Sequence, residues 1–358
     1  MTRRPIFESL ELGAVISLRR GHDLSESQRK PGSIPVVSSS GITGFHNAAI
    51  CDGPGVVTGR YGTLGLAHYV NEPYWPLNTT LYVENFKGND PRYVSYLLGT
   101  LNLAQYNGAG AVPGVNRNVL HRLSVLVPSY DVQVRIVANL STYDHLIENN
   151  QRRIKLLEEA ARRLYREWFV ALHFPGHEQV KVVDGMPQGW VQATLGDAMQ
   201  LQRGFDLPSG ARKEGAVPII ASTGVTGFHD EARVSGPGVV TGRSGTLGAV
   251  HFVHEDFWPL NTSLWVREFR LVTPLVAYFM LLELGLSQFN SGASVPTLDR
   301  KAVHPMPAMI PSKPVQTAFE EVAGPMFSQI RVLNQAASKA KQARDALLPH
   351  LMSGALAV

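Results

Sequence analysis

The 358-residue chain has a single cysteine, Cys51. That excludes an intramolecular disulfide and any Cys-rich zinc module. Long apolar runs are missing too: the most apolar stretch, residues 271–286, contains Pro274 and Glu283 and falls short of the roughly 20 residues that span a bilayer. The opening "MTRRPIFESLELGAV" carries charges where the apolar core of a secretory signal would sit. A soluble, cytoplasmic protein with no membrane partner is the expectation. Neither sign of charge dominates, with 33 basic against 29 acidic residues, a net charge of +4 and a pI near 9.1. Many inert proteins share that mild basicity.

Catalytic signatures are lacking as well. "GPGVVTGR" has glycines and a basic end but no Gly-Lys-Ser/Thr, so it is not a nucleotide-binding P-loop. "NEPYW" at residues 71–75 lacks one proline of the Asn-Pro-Pro-Tyr loop of amino-methyltransferases. His46, His68, His229 and His251 have no metal-ligand spacing or acidic cluster around them. They are expected to be surface or strand histidines.

What is present is a heptad seam. Residues spaced alternately four and three apart read Ile136, Leu140, Tyr143, Ile147, Asn150, Ile154, Leu157, Ala161, Leu164 and Trp168, with no Gly or Pro over residues 131–169. The spacing predicts one long helix with a narrow apolar stripe that buries against another helix. Adding 183 to each position gives Phe319, Ala323, Met326, Ile330, Leu333, Ala337, Ala340, Arg344, Leu347 and Leu351, the same seam in the same frame. The offset holds nearly throughout the chain: residues 20–86 and 203–269 are identical at 38 of 67 ungapped positions. One fold has been made twice.

Each copy begins around Leu12 or Leu195 and is built of short β-type runs broken by turn residues, "IPVVSSSGITGFH", "GPGVVTGRYGTLGLAHYV" and "WPLNTTLYVENF" in the first. A helix opened by Pro91 or Pro274 follows, then a Gly-rich turn and a last apolar strand ending on a proline. Residues 176–189, with Pro175, Pro187 and several polar residues, make a connector. The fold class is therefore α+β: two similar domains, each a small β-sheet plus helices, joined by two long helices in an antiparallel coiled coil with pseudo-two-fold symmetry. Segments are placed at 1–129, 130–172 for the first long helix, 173–312, and 313–358 for the second with a C-terminal tail. Aligned antiparallel, large seam residues meet small ones at Ile147 with Ala340 and Leu164 with Ala323. Tyr143 opposite Arg344 has no explanation from spacing.

The strongest candidate site is "GRYGTLG" at residues 59–65, matched by "GRSGTLG" at 242–248. An arginine, small hydroxyls and three glycines after a strand can bring backbone amides and a guanidinium to phosphates or a base edge, or can form no more than a solvated turn. Arginine makes up 24 of the 33 basic residues; its fork suits phosphate and guanine, although a GC-rich genome gives the same bias. Candidate DNA contacts are Arg20, Arg29, Lys30, Asn47, Arg60, Tyr61, Thr63 and Arg117 in the first copy. Their counterparts are Arg203, Arg212, Lys213, Asp230, Arg243, Ser244, Thr246 and Arg300. Trp75 and Trp258 are read as core.

The order of these pieces resembles the DNA specificity subunit of type I restriction-modification systems over essentially the whole chain. The resemblance is carried by "GPGVVTGRYGTLG" with "WPLNT", by "VPS" with Gln133 at the start of the first long helix, by "REWFV" at residues 166–170 and by "LLPHLMSG" at 347–354. It implies alternating target recognition domains and helical spacers and no catalytic centre. It also implies double-stranded DNA, two methyltransferase (modification) subunits and up to two restriction subunits as partners. S-adenosylmethionine, ATP and magnesium then belong to those partners, and none binds this chain. Family members usually carry two dissimilar recognition domains; these near-copies predict a bipartite, near-palindromic target instead. A DNA-modifying enzyme with unrecognised motifs and a protein-only assembly scaffold remain the alternative readings.

Overall fold

The computed structural model describes residues 7–106, 114–292 and 294–358. Most of the first copy's Gly-rich turn, residues 107–113, lies outside them. Contacts divide the chain into two compact units, one of residues up to 149 together with 336–358, the other of residues 150–335.

The first unit holds a four-stranded antiparallel sheet ordered Ser17–Arg20, Thr80–Asn85, Gly55–Gly59, Ala67–Val70. A smaller sheet sets Ile34–Ser38 between Gly41–His46 and the short strand Trp75–Pro76, and Phe7–Glu11 pairs with Ser124–Pro128. The second unit builds the same sheets from Met199–Arg203, Ser263–Phe269, Gly238–Gly242 and Val250–Val253, from Val217–Ala221 with Gly224–His229 and Trp258–Pro259, and from Val191–Thr194 with Pro307–Ile310. Register repeats with topology. Arg19 opposite Tyr82 and Arg20 opposite Leu81 become Gln202 opposite Trp265 and Arg203 opposite Leu264. Equal positions in the repeat are thus equal positions in the sheet. The central strands, Gly55–Gly59 and Gly238–Gly242, are buried along their whole length, which is why "GVVTG" shows no polar alternation.

The repeat reaches further back than the expected start at Leu12. Glu8 opposite Val127 is matched by Val191 opposite Ile310. Backbone pairing, indifferent to side chains, preserves this strand where sequence identity has faded.

The helices Pro91–Thr100 and Pro274–Glu283 both start on the expected proline. In the first, Asp90 caps the Tyr93 amide at 2.8 Å. A buried glutamine then ties each of these helices to a long one. Gln133 accepts from the Asp90 amide at 3.0 Å and donates to Asn89 Oδ1 and the Pro128 carbonyl. Gln316 accepts from the Thr273 amide at 2.9 Å and donates to the Leu271 and Pro311 carbonyls. The motif residue at the start of the first long helix is therefore a clamp.

The long helices are Tyr130–Tyr165, widening into one π turn over Arg166–Val170, and Lys313–Met352. Every seam position is buried or half-buried. In the first unit Ile136 and Leu140 share a core with Leu347 and Leu351. In the second, Ile154 and Leu157 pack with Ile330 and Leu333, and Ala161 and Trp168 join Phe319 and Ala323. Within each unit, rising numbers on one helix meet falling numbers on the other, so the pairing is antiparallel. The second helix runs through Gly324 and Pro325. Proline at that place has no amide for the carbonyl one turn back, but Phe319, Ala323 and Phe327 on either side are buried in the core.

Arg344, unexplained by spacing, reaches Asp144 at 2.7 Å. Asp144 also receives Arg92 at 3.3 Å and the Tyr96 hydroxyl. Burial pushes the Asp144 carboxyl up, but the bonds from Tyr96, Arg344 and Arg92 outweigh it and hold the pKa below the ordinary carboxylate range. The repeat counterparts of Arg92, Tyr96, Asp144 and Arg344 are Leu275, Phe279, Phe327 and Ala161, all buried in the second unit. At these four places the first unit is ionic and the second apolar; the second unit's ion pairs, Arg162 and Arg166 with Glu283, lie elsewhere.

The connector is more ordered than its composition suggests. Val182–Val183 and Met186–Pro187 form a hairpin whose turn residues Asp184 and Gly185 both have positive φ, at 52° and 77°. Asp-Gly is a strong signal for this two-residue turn; here its flanking strands are only two residues long. Among the described residues no helix is long and apolar enough to cross a membrane.

Candidate nucleic-acid interface

The two glycine turns leave the central strands and fold back on them. A Cβ at Gly59 would lie 1.9 Å from the Thr63 carbonyl, and one at Gly242 the same distance from that of Thr246. Only glycine permits the fold-back. Each turn is pinned on two sides. The amides of Arg60 and Tyr61 donate to the Thr79 carbonyl, and the Arg60 carbonyl accepts from Val115 at 2.9 Å. In the second unit the Arg243 and Ser244 amides donate to Thr262, that of Gly245 to Pro296, and the Arg243 carbonyl accepts from Leu298 at 2.8 Å. These amides bond within the protein. Side chains leaving a rigid base remain.

In the second unit those side chains converge. Arg203, Arg243, Arg267, Arg300 and Lys301 line a cleft of about 780 Å³ together with Gln200, Gln202 and Asp299. Arg243 donates to the Asn261 carbonyl at 3.3 Å, Arg300 to that of Leu201 at 3.3 Å, and Arg203 pairs with Asp206 at 3.2 Å. Asp299 accepts from the Lys301 amide at 2.9 Å. The lining thus carries five cationic side chains against one carboxylate, and its walls combine forked donors with amides that both donate and accept. Such a surface suits phosphates and base edges.

The first unit holds the same backbone differently. Arg60 lies over the Tyr61 ring at 4.5 Å and its Nη2 approaches the Tyr61 hydroxyl at 3.3 Å. Ser244 replaces that ring in the second copy, and Arg243 turns to the cleft instead. Arg20 faces Asp23 at 3.6 Å. Arg117 is exposed on a short helix capped by Asn116. Thr63 and Thr246 are exposed in their turns.

The remaining candidates do not line the cleft. Arg29 donates to the Thr43 carbonyl at 3.0 Å and so stitches its loop to the neighbouring hairpin. Arg212 sits half-buried at the matching place. The amides of Lys30 and Lys213 donate to His46 and His229, at 3.0 and 3.1 Å, while both imidazoles meet Trp75 or Trp258 edge-on. Asn47 is exposed; Asp230 is within 3.7 Å of Lys213 and 3.1 Å of His229. The recurrent histidines are therefore part of the framework. No group of three metal-ligating side chains is found among the described residues.

Sequence reasoning missed Gln200, Gln202, Arg267 and Lys301, because a search for shared residues passes over positions that differ. Their counterparts are Ser17, Arg19, Glu84 and Asn118. The signal was there: positions 84 and 267 carry opposite charges between the matched Val83 and Phe86 and their counterparts Val266 and Phe269.

A sequence profile of the type I restriction modification DNA specificity domain matches residues 7–159. That stretch, a little under half of the chain, is similar to the DNA specificity domain of type I restriction-modification systems. Over 320 residues it is 24% identical to the type I restriction enzyme MjaIX specificity subunit of Methanocaldococcus jannaschii, covering 79% of this chain and 74% of that one. The EcoprrI specificity subunit of Escherichia coli is 27% identical over 141 residues, covering 38% and 35% of the two chains. The fold matches the crystal structure of a type I restriction-modification S subunit from M. genitalium, with a TM-score of 0.64 and 15% identity over 98% and 97% of the two chains.

Proposed function

We propose that this chain is a specificity subunit that directs methyltransferase and endonuclease subunits to a bipartite DNA target. Its two recognition domains, residues 1–129 and 173–312, each read one half-site. What carries the reading is one rigid glycine turn built twice, with an arginine at the same place in each. Near-identical domains meeting antiparallel strands in equivalent ways call for inverted half-sites, so the target is an interrupted near-palindrome. Differences between matched loops, Asn47 against Asp230 and Tyr61 against Ser244, are where symmetry fails. Two modification subunits and up to two restriction subunits are the protein partners.

The test is the methylated motif in cells carrying the chain with its modification subunit. Two similar inverted half-sites are expected; two unrelated ones would sink the symmetry while leaving DNA recognition intact. Binding of duplex DNA that falls steeply with salt is the accompanying expectation.

A further inference from the structure

Glu84 and Arg267 occupy one structural position with opposite charge. Each is the extra residue of the same β-bulge: Ser17 pairs with Asn85 and Leu18 with Val83, which skips Glu84, while Gln200 pairs with Glu268 and Leu201 with Val266, which skips Arg267. A bulge re-aims the side chain it displaces. Arg267 is aimed into the basic cleft beside Arg243, where its Nη1 donates to Gln202 Oε1 at 3.3 Å. More than half of its side chain is exposed; its Nε lies 3.8 Å from Glu268, and the rest of its five donors are open to a ligand. In the first unit Glu84 instead closes an ion pair with Arg19 at 2.6 Å, and Arg60 is folded onto Tyr61.

We infer that the pair Gln202–Arg267, against its counterpart Arg19–Glu84, makes the two half-sites differ at one base pair. Arg267, oriented by Gln202, donates to the acceptor edge of a guanine in the half-site met by the second unit. An arginine fork matches guanine O6 and N7, whereas a carboxylate only accepts and can take no more than the amino group of a cytosine or an adenine. Two domains presenting opposite hydrogen-bond polarity at one place cannot select the same base there. This rests on the proposed reading of a bipartite DNA target and locates the break in its symmetry.

The experiment uses the full chain with its modification subunit, mapping methylated motifs and titrating duplexes that vary one position at a time. Arg267→Gln should reduce discrimination at a single position of one half-site by on the order of tenfold, other positions being unchanged. Joining Arg19→Gln to Glu84→Arg should move the first unit's preference at the matching position towards that of the second. Both changes replace exposed side chains, and an unchanged melting temperature shows that the fold persists. A uniform loss on every sequence, with the salt slope lower by about one, would make Arg267 a phosphate contact and overturn the inference. Retained binding with unaltered preferences in both variants would overturn it as well. If the unmodified chain shows no sequence preference at all, the proposed function itself falls, a result distinct from either of these.

Discussion

Arg60 and Arg243 show how one substitution beside a matched residue changes what that residue offers. The ring of Tyr61 holds one guanidinium, and Ser244 leaves the other facing the cleft. Arg243→Ala should therefore weaken duplex binding by about tenfold, more than Arg60→Ala does, because a stacked guanidinium must first give up roughly 0.5–1 kcal/mol of cation–π attraction. Equal losses in anisotropy titrations would contradict this. His121 and His304 carry a different kind of prediction. Each accepts a strand amide through Nε2 at 3.0 Å, from Leu18 and Leu201, which only neutral imidazole can do. Burial pushes both pKa values below the ordinary 6.5, helped by Arg117 and Lys87 in one case and Arg300 and Arg270 in the other. The folded protein then binds fewer protons than the unfolded chain, so this contribution is full above about pH 6.5 and is lost as pH falls towards the depressed values. Thermal midpoints should drop between pH 7 and 5, and His121→Gln with His304→Gln should flatten part of that fall. Part of it persists, since burial also lowers His251 and His254.

Between the short helices and the long ones, the buried glutamines are the critical joint. Replacing Gln133 with leucine keeps the bulk but strands the Asp90 amide and the Pro128 carbonyl in a buried place, at about 1–3 kcal/mol for each unsatisfied group. Gln316→Leu strands the Thr273 amide and two carbonyls in the same way. Urea denaturation should show comparable losses for the two variants. A negligible loss in either would mean that water replaces the clamp. Asp144 adds an acid-sensitive element to the first unit, as Glu283, held low by Arg162 and Arg166, does at a different place in the second. Its lowered pKa means that its contribution is present above the ordinary carboxylate value and disappears as pH falls through the depressed one. The aromatic residues at the matching places in the second unit have no such dependence.

For the whole molecule, the proposed bipartite target predicts that the length of the long helices sets the gap between half-sites. Removing one heptad from each, residues 147–153 and 330–336, shortens each helix by about 10 Å at 1.5 Å per residue. The spacer in the methylated motif should shrink by roughly three base pairs, at 3.4 Å each. An unchanged spacer would show that the helices do not set it. Deleting both segments keeps the seam in frame, so a stable protein with unchanged half-sites is expected alongside the altered gap.

Duplication, sheet texture and both long helices were legible in the residues because they rest on periodicity and on local backbone preference, which neighbours in sequence determine. The frame of Ile136 to Trp168 recurring at Phe319 to Leu351 was sufficient to place every buried seam position. The glycine turns were legible for the same reason. Long-range contacts decided the rest. Whether a turn amide is free for a phosphate depends on Thr79 or Thr262 arriving from another strand, and whether Arg344 is tolerable in a seam depends on Asp144 from the partner helix. Arg267 escaped notice since a bulge, which sequence does not announce, aims it into a cleft whose other walls lie far along the chain. Sequence by itself determined which surfaces are built twice; only the tertiary structure decided where the two copies differ, because charges become alternatives to one another when folding puts them in the same place.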